Sequence, residues 1–485
     1  MEAVDISGTG AGASSFEALA AHVDTLKELS LDSLPRGPPG PLQAMTAAVL
    51  AGALERLRGL EELSLRGADV AAAGGVLPAV GLGGRLRRLC LRDTTAAGGG
   101  EEAAGALALL VARAPLLRSL DTRGAHWSAA AASEVAEGLA ERGDGKHHHP
   151  GDLSPASPRL SDLRVGWGWG DAELHTVARG CPMLRHVTLG LGSTVTDGGL
   201  ASLASACPLL ETLSLRFAQV SPRGVTAAAV RCGRLRRLAV RQCGGRIGDE
   251  ELVAIAASCL RLCRLSITGA AAVGDLGVSA LGGLRYLEEL ELVGCQRLGD
   301  AGLLGLAAGP APLLRLRLEE AGAARCCAPH LPASMCPRPV GGGVSLAGLV
   351  ALLESRGRGL QALRLRHLTC PGGCGEGLPP RTLVEIARLC PLLREVVLDA
   401  CDLRGEGPEG RAGIEMPAER TGRLRWVRLV KCGPALPSLR KLVQLEEGQE
   451  GAARPCDGPG AARRLPKQEK VMDLVTGAEY KTPEG

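Results

Sequence analysis

Residues 210–215 read Leu210-Glu211-Thr212-Leu213-Ser214-Leu215, and the fold of the chain follows from the way this short pattern is repeated. The pattern is an aliphatic residue, two variable residues, a second aliphatic residue, one variable residue and a third aliphatic residue. It returns at intervals of about 24 to 27 residues. The other copies in this central stretch are Leu160-Leu163-Val165, Leu184-Val187-Leu189, Leu235-Leu238-Val240, Leu262-Leu265-Ile267, Leu287-Leu290-Leu292 and Leu313-Leu316-Leu318.

Each copy predicts a short β-strand, because its last apolar residues alternate with polar ones as in a strand with one buried face. An apolar stretch at helical spacing follows a turn, as in 199–204 and 251–256. One such unit cannot enclose a core, so each must stack on its neighbours. The period is that of leucine-rich repeats. The expected fold is therefore α/β, a leucine-rich-repeat solenoid, or horseshoe, with an inner parallel sheet and outer helices.

Composition agrees with an aliphatic core and sets limits on function. Aromatic residues make up only 2% of the 485 residues, and the formal net charge is +4. That mild excess does not by itself predict binding to nucleic acid or to a membrane. The 17 cysteines are odd in number, and no secretory signal opens the sequence. We therefore expect reduced thiols and a soluble protein of the cytoplasm or nucleus.

The spacing of the repeats divides the chain. The first strand pattern, at 4–8, starts in the middle of a repeat without a polar cap, so we expect the C-terminal part of a longer protein. The predicted parts are irregular N-terminal repeats at 1–142, an insertion loop at 143–159, regular cysteine-containing repeats at 160–318, a second insertion loop at 319–345, C-terminal repeats at 346–440 and a disordered tail at 441–485.

Two kinds of residue in the insertions are able to ligate a metal. His147, His148 and His149 are adjacent, and five cysteines fall in or near the second insertion. Their spacing matches no closed zinc module, and such inserts are usually surface loops. We predict neither a metal site nor a cofactor, and the five cysteines are Cys326, Cys327, Cys336, Cys370 and Cys374.

Within the repeats, cysteine and aspartate have fixed places. Cys207 and Cys259 each lie just before a strand, where a small side chain suits a crowded, buried turn. Asp197, Asp249 and Asp275 follow Gly or Thr and precede a helical stretch. We interpret these aspartates as helix N-caps rather than as catalytic acids.

At these positions the chain resembles the cysteine-containing leucine-rich repeats of F-box proteins, over about residues 180 to 310. The segments 207–213 and 391–402 resemble more closely the C-terminal repeats of plant BTB/POZ-domain proteins of the F-box-like leucine-rich-repeat group. The resemblance implies a substrate receptor of a cullin-type ubiquitin ligase, in which the repeats hold the target. Neither an F-box nor a BTB segment precedes Leu26, so a ligase adaptor would attach through a module outside this sequence.

The variable strand residues point to the concave side and are rich in arginine. We expect this face to bind an acidic or phosphorylated segment of a target protein. The alternative is a solvated charged surface. Nucleic acid is disfavoured, because Trp426 alone could stack bases on this face. Trp167 and Trp169 are expected to cover a repeat junction, and the alternative is that they line a partner pocket. The candidate binding residues are Arg185, Arg216, Arg236, Arg237, Arg241, Arg264, Glu288, Glu289 and Glu291.

The motifs of the common enzyme classes are absent from the sequence. There is no phosphate-binding loop ending in Gly-Lys-Ser/Thr, no Gly-x-Ser-x-Gly elbow and no closely spaced His/Glu zinc pattern. We therefore expect a non-catalytic interaction module that recognises targets for a ubiquitin ligase. The alternatives are a general repeat scaffold without a ligase and a receptor whose repeats hold a small ligand.

Overall fold

The structure is a computed structural model of the full chain. The residues that it describes are 2–5, 25–30, 32, 59–67, 85–94, 110–111, 114–141, 160–242, 247–319, 343–366, 385–386, 388–399 and 426–430.

The strands predicted from the leucine pattern form one parallel sheet, in which each strand pairs only with the strands before and after it in sequence. The described residues contain fifteen strands. Their bounds are Ala3–Asp5 (β1), Glu28–Ser30 (β2), Glu62–Ser64 (β3), Arg88–Cys90 (β4), Ser119–Asp121 (β5), Asp162–Val165 (β6), His186–Leu189 (β7), Thr212–Arg216 (β8), Arg237–Arg241 (β9), Arg264–Thr268 (β10), Glu289–Val293 (β11), Arg315–Glu319 (β12), Ala362–Arg366 (β13), Glu395–Asp399 (β14) and Trp426–Val430 (β15).

The apolar stretches between strands form the outer layer of helices, as their spacing predicts. The helices at 197–206 and 249–258 contain the two stretches identified in the sequence. The bounds in the described part of the chain are Ala129–Glu141 (α1), Asp171–Gly180 (α2), Asp197–Ala206 (α3), Pro222–Arg231 (α4), Asp249–Ser258 (α5), Asp275–Leu281 (α6), Asp300–Ala308 (α7) and Leu346–Arg356 (α8).

The core lies between the two layers and is a ladder of aliphatic side chains. Leu213 on β8 pairs in register with Leu238 on β9, which pairs with Leu265 on β10, and all three are at most 1% exposed. Burial of each such side chain is worth about 1.5–3 kcal/mol. Because the same positions are filled in every repeat, the solenoid has one continuous core. The predicted fold class is confirmed.

The aspartates act differently from the prediction, because they are not the N-caps of their own helices. Asp249 is the first residue of α5, and the N-cap is Gly248. The Oδ1 atom of Asp249 instead accepts hydrogen bonds from the backbone amides of Gly274 (2.8 Å) and Gly277 (2.9 Å), which belong to the start of α6 in the next repeat. Asp275 accepts equivalent bonds from the repeat that follows it. The carboxylates therefore satisfy orphan helix amides across the repeat boundary.

A glycine at the third position of the receiving helix makes room for this carboxylate. A Cβ atom on Gly277 would lie 2.6 Å from Asp249 Oδ1, and one on Gly199 would lie 2.3 Å from Asp171 Oδ1. Where the preceding helix starts without aspartate, the third position is glutamate, and Glu173 and Glu251 accept the amide of their own N-cap at 2.9 Å. Each of these helix N-termini is thus capped either by an aspartate of the preceding repeat or by a glutamate of its own first turn.

Some predictions fall on residues outside the described ranges. These are the histidines at 147–149, the five cysteines in and near the second insertion, and the tail at 441–485. Glu319, at the start of the predicted second insertion, is the last residue of β12. The division into segments stays a prediction.

Candidate interaction surface

The concave face is built of columns, because the strands pair residue to residue without offset. Thr212 on β8 lies opposite Arg237 on β9, and Arg237 lies opposite Arg264 on β10. Neighbouring side chains in a column are about 5 Å apart, the spacing of paired strands. A charge at one position therefore interacts directly with the charge at the same position of the next repeat.

Four of the predicted binding residues lie in an ion-pair network that runs along these columns. Glu291 contacts Arg241 at 3.3 Å and Arg317 at 2.7 Å, and Glu289 contacts Arg264 at 3.3 Å. The side chains of Arg241, Glu289 and Glu291 are less than one fifth exposed. Their charges are already compensated within the protein, so they stiffen the face more than they attract a ligand. The network continues through Arg315–Glu289 (3.0 Å), Arg317–Glu319 (2.9 Å), Arg366–Glu319 (3.5 Å) and Arg364–Glu395 (2.6 Å).

Arg236 and Arg237 are different, because both are exposed and, in the part of the chain that the structure describes, neither is within 4.0 Å of a carboxylate. A hydrogen bond to Cys263 raises the pKa of Arg236, and the nearby acidic side chains of Glu211 and Glu288 raise it further. Arg185, exposed on the same edge, pairs with Glu211 at 3.0 Å. The surface here is a shallow hollow of about 380 Å³ lined by His186, Glu211, Thr212, Arg236, Arg237, Cys263, Arg264 and Glu288.

The charge of the concave face is uneven along the solenoid. Counting the four outward positions of each repeat, β5 to β9 carry eight arginines and three acidic residues, whereas β10 to β13 carry five arginines and four glutamates. Arg216, at the end of β8, is half-buried within the first group and lies opposite Arg241. Arginines therefore outnumber acidic residues on β5 to β9 more strongly than on β10 to β13.

The cysteines before the strands are structural, as their positions predict. Cys207 and Cys259 follow the ends of α3 and α5 and are fully buried. The Cys259 thiol donates to the carbonyl of Ala229 in the preceding repeat at 3.3 Å. Burial raises the pKa of both thiols to about 12, so they remain protonated and poor nucleophiles. Among the described residues there is no cluster of three or more side chains able to hold a metal ion.

The tryptophans near β6 have separate environments. Trp169 is fully buried. Trp167 covers Gly192 of the next repeat but stays 38% exposed. The side chain of Trp426 lies outside the described residues, so the prediction that it could stack bases stays open. No described helix is long and apolar enough to cross a bilayer.

The sequence identified the arginines but missed their pairing. Glu291 neutralises Arg241 from a position 50 residues away, across two strand boundaries. The repeat period contains the information needed to predict this ion pair. Aligning the repeats by their leucines places Glu291 in the same column as Arg317 and next to the column of Arg241. Comparing the charges within each column, and not along the sequence, would have distinguished the ion-paired residues Arg241, Arg264, Glu289 and Glu291 from the exposed Arg236 and Arg237.

Comparison with known proteins agrees with this fold. Residues 283–307 match the family model for a leucine-rich repeat. The BTB/POZ domain-containing protein FBL11 of Arabidopsis thaliana is 29% identical over 275 residues, which cover 56% of this chain and 26% of the relative. The chain thus spans about a quarter of the length of that curated relative.

Two solved structures are also similar to the chain. An internalin, InlF, from Listeria monocytogenes is 17% identical, with 79% of this chain and 88% of that chain covered and a TM-score of 0.43. The TLR13–ssRNA13 complex is 16% identical, with 86% of this chain and 57% of that chain covered and a TM-score of 0.44. The molecule is a leucine-rich-repeat interaction module whose concave face is the candidate surface.

Proposed function

We propose that this chain is the non-catalytic target-recognition part of a cullin-type ubiquitin ligase. The observation that carries the proposal is the similarity over 275 residues to a BTB/POZ domain-containing protein, in a chain that folds as stacked repeats with an open concave face. BTB and F-box segments are the modules through which such receptors attach to the ligase. In this proposal the repeats bind the target, and the ligase adaptor is bound by a separate module of the full-length product.

The ligase connection is tested by affinity purification of the full-length product from its own cells, followed by mass spectrometry. Co-purification of a cullin, together with accumulation of captured proteins when the proteasome is inhibited, is the expected result. Capture of partners without any cullin would favour the alternative, a leucine-rich-repeat scaffold without a ligase. The same tagged product is expected in the cytoplasm or nucleus, which microscopy of a fluorescent fusion would test.

We further propose that the target carries an acidic or phosphorylated segment that contacts the predicted patch. Arg236 and Arg237 are its most available cations, because they are exposed and close to the hollow. Arginine suits this role, since its planar guanidinium can form two parallel hydrogen bonds to a carboxylate or phosphate. The paired residues Arg185, Arg241 and Arg264 contribute mainly by holding the surface in shape.

Charge reversal tests this part of the proposal. The double variant Arg236→Glu/Arg237→Glu is expected to abolish target capture without loss of fold, because both side chains are exposed and unburied charges cost little to change. The matched control is Arg223→Glu/Arg261→Glu, which alters two exposed arginines outside the sheet face by the same charge. Equal capture by the two double variants would exclude the patch.

A further inference from the structure

Three large apolar side chains are exposed next to one another at one edge of the concave face. Trp167, Leu191 and Phe217 each lie two residues beyond the last buried strand residue of β6, β7 and β8, and those buried residues are paired in register. The three side chains are 38%, 52% and 45% exposed. Successive strands are about 5 Å apart, so the three side chains follow one another along this edge of the sheet. We call Trp167, Leu191 and Phe217 the apolar ridge.

The contacts of Trp167 fix the ridge in place. Its indole covers Gly192, where a Cβ atom would lie 2.1 Å from the ring, so this glycine is needed for the ring to lie flat on the turn. On its other side the indole faces the exposed His126 ring, with 5.1 Å between centroids and 30° between planes. A tryptophan held in this way loses little freedom when it binds a partner.

The ridge is bounded on both sides. At the same sequence distance from the strand, the neighbouring repeats have Asp93 and Gly124 before the ridge and Gln242 and Gly269 after it, none of which is a large apolar residue. Exposing Trp and Phe is unusual in a chain with only four Trp and two Phe among 485 residues. An apolar patch surrounded by polar positions is typical of a binding surface.

The surroundings of the ridge indicate what it would bind. It borders β5 to β8 within the part of the face that has eight arginines to three acidic residues. The exposed Arg237 lies on β9, next to β8, and the exposed Arg236 directly precedes it. Apolar anchors beside excess positive charge are complementary to a peptide that carries a large apolar residue next to acidic ones.

We propose that the apolar ridge is the anchor site for an extended acidic peptide of the target, with an aromatic or leucine side chain of that peptide seated against Trp167 and Phe217. The inference rests on the proposal that the chain recognises a target protein, and it adds the chemistry of the recognised segment. The acidic residues of the peptide face the arginines of β5 to β9, and the apolar residue provides the contact that charge alone does not supply.

A library of random 12-residue displayed peptides, selected on the full chain, tests the inference without any ligase component. Enriched sequences are expected to combine Asp or Glu with a neighbouring Trp, Phe or Leu. The peptide most enriched is then synthesised with a fluorophore, and its binding is measured by fluorescence polarisation. Trp167→Ala/Phe217→Ala is expected to weaken it by about 30-fold or more, the usual effect of removing central aromatic anchors.

The controls distinguish specific anchoring at the ridge from nonspecific hydrophobic binding and from misfolding. Leu260→Ala/Leu276→Ala removes two apolar side chains that are 64% and 74% exposed away from the ridge, and it should bind normally. Replacing the acidic residues of the peptide by Asn and Gln should also weaken binding. If Trp167→Ala/Phe217→Ala is misfolded by circular dichroism, Leu191→Lys takes its place, since Leu191 is half exposed.

The inference is overturned if no peptide is enriched, if basic or purely polar peptides are enriched, or if ridge and control variants bind alike. The outcome is independent of the ligase proposal. Ridge-dependent peptide binding with no cullin in the purified full-length product would leave the anchor site standing and remove the ligase. The reverse result would remove the anchor site alone.

Discussion

Removing the carboxylate of Asp249 is expected to destabilise the next repeat more than its own. Asp249 begins α5, but its Oδ1 atom accepts the amides of Gly274 and Gly277 at the start of α6. In Asp249→Ala both amides lose their acceptor. Loss of a helix cap costs about 0.5–2 kcal/mol, and a hydrogen bond to a charged group contributes about 1.5–3 kcal/mol. Because Asp249 is only partly buried, water replaces part of the loss, and we expect about 2 kcal/mol.

The assay is native-state hydrogen exchange, read at the amides of Gly274 and Gly277. A loss of about 2 kcal/mol corresponds to about 25-fold faster exchange, since 1.4 kcal/mol is a factor of ten. Amides within α5 should change much less. Asp249→Asn keeps an acceptor oxygen but not the charge, so its effect should be below about 1 kcal/mol.

Glu250→Ala is the matched control for this prediction. Glu250 is the next residue of the same helix, it is exposed, and it carries the same charge in the first turn. Its removal alters the interaction with the helix dipole without touching the amides of α6. If Asp249→Ala and Glu250→Ala accelerated exchange at Gly274 and Gly277 equally, the cross-repeat capping account would be refuted.

Three further predictions follow from the packing, the thiols and the ion pairs. Gly309→Ala should lower the thermal midpoint, because its Cβ would lie 1.9 Å from the Gly282 carbonyl oxygen, and we expect a cost of about 1–3 kcal/mol. Gly233→Ala is the control and should be neutral or stabilising, since a Cβ there has nothing within 4 Å. Equal midpoints for the two variants would contradict this. Burial raises the pKa of Cys207 and Cys259 to about 12. Between the unfolded pKa of about 9 and this value, the unfolded chain loses the thiol proton while the folded chain keeps it, so the free energy of unfolding falls as pH rises. The slope is up to about 1.4 kcal/mol per pH unit for each thiol, and the contribution is complete below about pH 9. Guanidinium unfolding at pH 8 and pH 10.5 under reducing conditions should show this slope, and Cys207→Ala should reduce it. A double-mutant cycle of Arg317→Met and Glu291→Gln should give a coupling of about 1 kcal/mol, because the pair is 2.7 Å apart and mostly buried, whereas the exposed pair Lys27–Glu2 should give close to zero.

The fold could be predicted because the signal for it is local and repeated. Each leucine triplet decides one strand, and the next triplet, 24 to 27 residues later, decides its neighbour, so even the register of Leu213, Leu238 and Leu265 follows from the spacing. Asp249 shows where local reading failed. Its sequence context is that of an N-cap, but its partners are amides 25 and 28 residues away. A side chain at the start of one helix can reach the next helix only because the repeats stack closely, and that distance is not a property of any one repeat.

The residues of the candidate site could be predicted from the sequence, but which of them are free to bind a partner could not. The arginines of the concave face were found, yet their availability depends on whether an acidic residue occupies the same or an adjacent column one or two strands away, as Glu291 does for Arg241. Of the apolar ridge, only Trp167 could be suspected of partner contact from the sequence, for a related reason. Trp167, Leu191 and Phe217 are about 25 residues apart in sequence and differ in type, and only strand pairing places them together.

The two halves of the concave face are suited to different tasks. On β10 to β13 acidic and basic residues occupy the same columns on neighbouring strands, so their charges compensate one another. A ligand would have to displace existing ion pairs, with a loss that offsets the new contacts. On β5 to β9 arginines exceed acidic residues, and the apolar ridge borders the same strands. A partner that binds there gains both charge compensation and apolar burial. Each repeat contacts only its neighbours, so a change in one repeat reaches the others through the stack. The ion pairs of β10 to β13 are therefore expected to help hold the strands of β5 to β9 in register. Arg317→Met, which removes ion pairs of Arg317 without touching the ridge, should then lower the affinity for the peptide.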